Sequence, residues 1–416
     1  MDDRQLINDC FALPPNVDWT PVEDALNALR TSVASIKGAE TIGLGAAHGR
    51  ILAADAVAAV SHPSADNAAV DGYAFAHADY LAAPLPIAEG RAAAGTPFAR
   101  PLSTGEAVRI LTGAILPPGA DTVLMDEDAR LENGMLHCPR GLKIGANRRK
   151  AGENIATGAV ALPAGTRLTP PALAQAAAAG LAMVSVIRRL RVGVLSTGDE
   201  IHPPGTPLPA GGLHDANGPM LAAMASAWGF EVIDLGIAAD EPEAVRAALD
   251  QGARQADVIL ASGGASAGDE DHLARMLGTE GTRAIWRIAM KPGRPLALGR
   301  WKGIPVFGLP GNPVAAFVCT LIFARPALLA MSGAGWSVPL AERRPAAFAK
   351  RRKAGRREYL RARLNADGQV ETFANEGSGL IRGLVWADGV VDLPDGGPDV
   401  APGDMVSYLP FHGFGL

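Results

Sequence analysis

Cysteine is scarce in this chain of 416 residues: Cys10, Cys138 and Cys319 are all there are. They are too few and too widely spaced for a disulfide framework or a CxxC zinc clip. An excess of one charge is lacking too. The 38 Lys and Arg stand against 43 Asp and Glu, a formal net of −5, a poor basis for wrapping nucleic acid. The opening residues, MDDRQLINDCF, carry two acids where a signal peptide needs a basic region before an apolar one. The longest apolar stretch, Pro313 to Met331, is interrupted by Arg325 and Pro326, which argues against a membrane span. The expectation is a cytoplasmic protein with neither nucleic acid nor membrane as partner. There is no GxxxxGK[ST], so P-loop ATP chemistry is disfavoured, and no GxSxG elbow, so an α/β-hydrolase is disfavoured as well.

What the chain does have is 49 Gly and 32 Pro among 48% hydrophobic residues, a mixture that suits many tight turns between short elements. Thr20-Pro21-Val22-Glu23 predicts a helix start, with Thr20 as N-cap, Pro21 at the first helical position and Glu23 completing a capping box. From about Thr41 to Leu162, short runs such as AVRILTG and DTVLMDED alternate with Gly/Pro turns and predict a β-rich unit. A helix capped by Thr169 and stopped at Gly180 follows. Beyond Arg189 the pattern changes. RVGVLSTG, FEVIDLGI and DVILASGG predict strands, separated by helices over Asn217–Trp228 and EPEAVRAALDQGAR. DEDHLARML then predicts a helix, AIWRIAM, PLALGRW and IPVFGLPG predict further strands, and a helix over Asn312–Met331 closes the unit. Such alternation predicts a parallel sheet between two helical layers. After Gly335 the chain turns basic and then strand-like to its end.

The predicted fold class is therefore multidomain α/β. It has a β-rich N-terminal part (1–188, with an inserted β domain over about 58–158), a three-layer α/β/α domain (189–335) and a small C-terminal β domain (336–416). In an open parallel sheet, ligands bind beyond the carboxyl ends of the strands. Three loops converge there: Ser196-Thr197-Gly198-Asp199-Glu200, Ser262 to Gly268 with Asp269-Glu270-Asp271 behind it, and Gly308 to Pro313. Ser262, Gly263, Gly264 and Ser266 form a Ser/Gly run whose amides suit phosphate. The acids behind it suit Mg²⁺, which takes oxygen ligands and bridges phosphate. Arg287, Lys291 and Arg294 add three cations downstream. Each piece alone is also a plain turn, a helix-dipole complement or a solvated face; their convergence carries the reading of a phosphate-plus-metal pocket.

The motifs DNAAVDGYA (66–74), ILTGAILPPGADTV (110–123), AGENIATGAV (151–160), VGVLSTGDEI (192–201), SGGASAGDEDH (262–272), MKPGRP (290–295) and GLPGNPVAAF (308–317) come in one order along nearly the whole chain. In this the sequence resembles the molybdopterin molybdenumtransferase family, the MoeA and gephyrin E-domain type. The resemblance implies an enzyme of molybdenum-cofactor biosynthesis that inserts molybdate into adenylylated molybdopterin, releases AMP and uses Mg²⁺. It implies a homodimer whose site draws on both subunits, with the upstream adenylyltransferase and recipient molybdoenzymes as further partners. Carried over by position, Asp71, Thr112, Lys291, Arg287 and Arg361 are implied as catalytic. Asp271, Glu200 and Asp240 are implied as metal ligands, and Arg294, Pro310, Pro313 and Ser378 join the Ser/Gly loop on the substrate. Two positions depart from the family pattern: Asn154 replaces an aspartate, keeping an oxygen acceptor but losing the charge, and Arg287 replaces a lysine. Two alternatives therefore stand beside the enzyme: a divergent paralogue that binds molybdopterin or scaffolds a partner without turnover, and a hydrolase using the same binding domain on another nucleotide.

Overall fold

The computed structural model describes residues 19–263, 272–285, 287–293 and 296–416. The chain divides into two compact units: Ala39–Val186, and the segment up to Gly38 together with Ile187–Leu416.

The Ala39–Val186 unit is built on a six-stranded sheet. Its strands are β1 (Gly72–Phe75), β2 (Leu85–Ala92), β3 (Ala107–Ile110), β4 (Thr122–Met125), β5 (Arg130–Glu132) and β6 (Met135–His137). They lie in the order β4-β1-β3-β2-β6-β5, with β2 and β3 parallel and the other pairs antiparallel. Phe75, Ile110, Leu124 and Leu136 are buried in its core. Gly72 is required at the β1 edge, because a Cβ there would lie 1.8 Å from the Leu124 carbonyl oxygen. A second, smaller core packs under helix α1 (Pro170–Ala178). The Thr169 side chain accepts from the Ala172 amide at 3.5 Å, and Gly180 stops the helix at φ +79°, as the sequence predicts.

In the other unit, β7 (Arg191–Thr197), β8 (Glu231–Ala238), β9 (Val258–Ser262), β10 (Thr282–Ile285), β11 (Ala297–Trp301) and β12 (Ile304–Leu309) form a sheet in the order β8-β7-β9-β12-β11-β10. Strands β8, β7, β9 and β12 are parallel, and the two at the β10 edge are antiparallel. A fully parallel sheet fails here because β11 and β12 are joined by Lys302-Gly303, both at positive φ (47° and 90°). A two-residue turn can only return the chain antiparallel.

Side chains alternate across the strands as a doubly covered sheet requires. Val192, Val194, Val258 and Leu260 face α2 (Asn217–Ala227) and the long helix α5 (Pro313–Met331). Leu195, Ile259 and Ala261 face α3 (Pro242–Gln255) and α4 (His272–Thr279). Helix α5 is apolar and long enough to cross a membrane, but 83% of its apolar window is buried inside the protein. It is the central core helix. Pro326 brings no N–H to the helix ladder, and the turn before it, Thr320–Ala324, opens into a π-helix.

Two local expectations are corrected. The helix after Thr20 spans Val22–Ser32 with no side-chain cap. Thr20 is engaged elsewhere: its amide donates to the Arg287 carbonyl (3.0 Å) and its own carbonyl accepts from Ala289 (2.9 Å). AIWRIAM is not one strand. After β10 the chain passes through Arg287, held at φ +65°, and Met290–Lys291 leaves this sheet to pair parallel with Arg357-Glu358 of the C-terminal one. The C-terminal sheet contains β13 (Glu342–Pro345), β14 (Arg357–Leu364), β15 (Gly389–Leu393) and β16 (Met405–Pro410). Its order is Met290–Lys291, β14, β15, β16, β13. The architecture is thus mixed α/β with a β-rich N-terminal part and a small C-terminal β sheet.

Candidate functional site

The sheet order places β7 between β8 and β9, so the chain leaves β7 in one direction and returns on the other side. That is the switch point at which open α/β sheets bind ligands. At their carboxyl ends β7 and β9 come into backbone contact. Gly263 sits at φ +94°, and a Cβ there would lie 2.3 Å from the Thr197 carbonyl oxygen. Only glycine permits that approach.

Two residues before and at the start of α2 tie the loops together. Asp215 accepts from Ser196 Oγ (2.6 Å) and from the Gly218 amide (2.8 Å). Asn217 Nδ2 donates to Ser262 Oγ (2.6 Å) and to the Gly311 carbonyl (2.7 Å), linking the β9 loop to the β12 loop. Asn217 is 7% exposed, and both its Oδ1 and Thr197 Oγ1 are buried without a partner among the described residues. Buried polar atoms are rarely left so, and both residues line the same opening.

That opening is a cleft of about 960 Å³. It brings together Glu200, Asp240, Ser262, Gly263, Lys291, Pro310, Pro313 and Ser378 from the sequence candidates. Asp199 Oδ1 accepts from the Asp240 amide (2.9 Å) and fixes that turn beside Glu200. Pro313 opens α5, and the next amide, Val314, donates to the Ser378 carbonyl (3.0 Å), which fastens the 375–380 loop over the helix start. Gly264, Ser266, Asp271 and Arg294 lie outside the described residues. Among the described residues no three His, Cys, Asp or Glu side chains are grouped to hold a metal. Glu200 and Asp240 nevertheless bring two carboxylates to one cleft, which is the donor chemistry Mg²⁺ takes when phosphate completes its shell.

Beside the cleft lies an ionic network that has no sequence signature. The Glu376 carboxylate takes Lys291 on one oxygen and Lys350 on the other. Lys350 also meets Glu358 at 3.3 Å, and Glu358 meets Arg356 at 3.2 Å. Burial pushes the Glu376 carboxyl up, but the two lysines outweigh it and hold it below the usual glutamate range. Lys291, Lys350 and Glu376 also line a smaller adjoining cavity of about 230 Å³. Arg361 faces this cavity and not the larger cleft. Its guanidinium donates to the carbonyls of Leu380 (2.8 Å), Asn375 (2.5 Å) and Gly377 (3.1 Å) and stacks on Phe373. It therefore positions the loop that carries Glu376 and Ser378.

The remaining candidates sit elsewhere. Arg287 is a left-handed turn residue whose carbonyl pairs with Thr20, and it does not line the cleft. Asp71 and Thr112 belong to the Ala39–Val186 unit and are bonded to each other. Asp71 Oδ1 accepts from both the Thr112 hydroxyl (2.6 Å) and amide (2.7 Å), which lowers its carboxyl pKa. Asn154, in the same unit, donates its amide to Gln175 Oε1 at 3.1 Å, a bond for which a carboxylate has no hydrogen. Asp215, Asn217, Lys350, Glu358 and Glu376 were not legible as site residues. The DAN tripeptide before α2 was the available signal for the first two.

The chain matches three family descriptions in succession: the MoeA N-terminal region (domain I and II) over residues 20–180, a probable molybdopterin binding domain over 193–330, and the MoeA C-terminal region (domain IV) over 343–411. It is 35% identical to the molybdopterin molybdenumtransferase of Haemophilus influenzae, over 90% of this chain and 94% of that protein. It is 36% identical to molybdopterin molybdenumtransferase 2 of Mycobacterium tuberculosis, over 88% and 93%. A solved structure of the MoeA molybdopterin biosynthesis protein from Pyrococcus horikoshii superposes with a TM-score of 0.78 at 32% identity, covering 95% of this chain and 99% of that one. The chain belongs to the molybdopterin molybdenumtransferase family, and with it to molybdenum-cofactor biosynthesis.

Proposed function

We propose that this chain inserts molybdate into adenylylated molybdopterin and releases AMP. The observation that carries the reading is the single cleft at the sheet switch point. There the amide-rich Ser262-Gly263 strand end, the Glu200 and Asp240 carboxylates and the Lys291 ammonium meet. In the reaction water adds to a phosphorus of the phosphoanhydride as one P–O bond breaks and AMP leaves. The two dithiolene thiols bond to molybdenum as one molybdate oxygen departs as water with the two thiol protons. Hydrolysis of such an anhydride mainly needs positioning and charge neutralisation.

Each residue has a task in that scheme. Ser262 and Gly263, followed in sequence by Gly264 and Ser266, hold phosphate oxygens. Thr197 Oγ1 and Asn217 Oδ1 offer polar atoms for the ligand to satisfy. Lys291 neutralises an oxyanion, with Arg294 as a further cation of that segment; Arg287, outside the cleft, shapes the turn before Lys291. Pro310 and Pro313 keep the β12 loop rigid, and Ser378 closes the opposite rim. Glu200 and Asp240, with Asp271, would hold Mg²⁺, which supplies neutralisation of phosphate charge. The α/β part over 189–335 would carry the substrate, and the C-terminal part over 336–416 would contribute the rim loop. Asp71 and Thr112 would serve the site of a partner subunit in a homodimer. The setting is the cytoplasm, between the adenylyltransferase that makes the substrate and the molybdoenzymes that receive the product.

The test is AMP release from adenylylated molybdopterin with Mg²⁺, with and without molybdate. Molybdate-dependent release is expected. Tight binding with no release would assign the chain to the non-catalytic binder class instead, and activity on ordinary dinucleotides would assign it to the hydrolases.

A further inference from the structure

We propose that Glu376 is an internal counter-ion occupying an oxyanion seat between Lys291 and Lys350, so that a tetrahedral oxyanion entering the cleft has to displace it. The proposal rests on the reading of the cleft given above. Its basis is the arrangement of the charges. Glu376 gives one carboxylate oxygen to each lysine, as two oxygens of a tetrahedral oxyanion would. The ammonium groups are the buried members, with side chains 12% and 15% exposed, while the carboxylate is 34% exposed and lies at the wall shared by the cleft and the adjoining cavity. The group that can move aside is thus the acid.

Two further observations separate a displaceable counter-ion from a structural strut. Lys350 keeps a second carboxylate, Glu358, which is buried and also holds Arg356, so it stays charged and oriented when Glu376 leaves. The loop bearing Glu376 is shaped by Arg361, which binds the backbone carbonyls of that loop and not the Glu376 side chain. When Glu376 swings out, its negative charge leaves and Lys291 and Lys350 face the vacated position. An anion is the chemistry such a seat attracts. The oxyanion is either free, as molybdate, or the phosphoryl group of an adenylate.

The experiment is calorimetric titration of the full chain and its Glu376→Gln variant, with molybdate alone and with AMP alone, at one low salt concentration. Glu376→Gln keeps the shape and removes the competing charge. Binding about five-fold tighter is expected for at least one ligand, the scale of a partly exposed ion pair. A gain for molybdate alone marks a seat for the free oxyanion, and a gain for AMP alone marks a phosphoryl seat. A structural strut gives the opposite sign, because its loss loosens the site. Unchanged or weaker binding of both ligands overturns the proposal. If Glu376→Gln does not fold, Glu376→Ala, which also removes the competing charge, is read in the same way. Absence of AMP release from wild type and variant alike would sink the enzymatic reading while leaving this binding comparison decisive on its own.

Discussion

Asn217 does the most with the fewest atoms. One side-chain amide joins Ser262 at the end of β9 to Gly311 in the loop before α5, while its buried oxygen has no partner among the described residues. Deleting it in Asn217→Ala removes two donated bonds and leaves buried acceptors unpaired, a loss of about 1–3 kcal/mol in stability. The effect on catalysis should be larger, because loops that drift by about 1 Å misplace the reacting groups and cost roughly 100-fold in rate. Thermal denaturation and AMP release on the same preparation check both. A variant with lowered melting temperature and undiminished turnover would show that the loops hold their geometry without Asn217. Asn154 illustrates the reverse case. Its amide donates to Gln175, so this residue has a partner of its own in the Ala39–Val186 unit.

At the scale of elements, the parallel core depends on how its strands begin as well as how they end. Asp257, just before β9, accepts from both Nη atoms of Arg188 (2.7 Å each) and from the Arg191 amide (2.8 Å) at the start of β7. Burial pushes the Asp257 carboxyl up, but the arginines outweigh it, and its pKa falls below the ordinary 3.8. A carboxyl whose folded pKa is depressed stabilises the fold above its unfolded value and loses that contribution as pH falls through the folded one. Asp257→Asn is therefore expected to lower stability by about 1–3 kcal/mol near neutrality. The gap to wild type should be flat over about pH 5–8 and shrink below about pH 4. Melting curves across that range decide it, and a gap that persists in acid would assign the loss to packing.

Strands such as RVGVLSTG were legible in the sequence because continuous apolar runs are local, as were the Thr169 cap and the Gly180 stop. The antiparallel edge was missed because its cause, a two-residue Lys302-Gly303 turn, is set by backbone φ. The split of AIWRIAM was missed because Met290–Lys291 is claimed by β14, far along the chain. Of the eight candidates that meet in the cleft, Glu200, Ser262, Gly263, Pro310 and Pro313 were legible for the same reason as the strands, because they follow strand ends. Lys291 stood out as one of three downstream cations, and Asp240 and Ser378 came only from the family resemblance. Glu376 and Lys291 lie 85 positions apart, and an ion pair at that separation leaves no spacing to read.

At the scale of the whole molecule, Asp71 and Thr112 belong to a different unit from the cleft residues. They form a tight pair in the Ala39–Val186 unit, with Gly72 beside them locked against Leu124, while the acids and Lys291 occupy the cleft of the other unit. If each site of a homodimer takes the first pair from one subunit and the cleft from the other, Asp71→Ala and Lys291→Ala each disable both sites of their own dimers. A mixed dimer then has one site carrying both substitutions and one carrying neither. Random pairing of the two variants makes half the dimers mixed, so activity should return to about a quarter of wild type. Co-expression with two different affinity tags isolates the mixed dimer, which by itself should show about half of wild-type activity. Recovery at these levels requires a composite site. Its absence in isolated mixed dimers would mean that Asp71 and Lys291 serve one and the same subunit's site, so that each subunit carries one disabled site, or that Asp71 acts on folding alone. The melting temperature of Asp71→Ala separates those two outcomes.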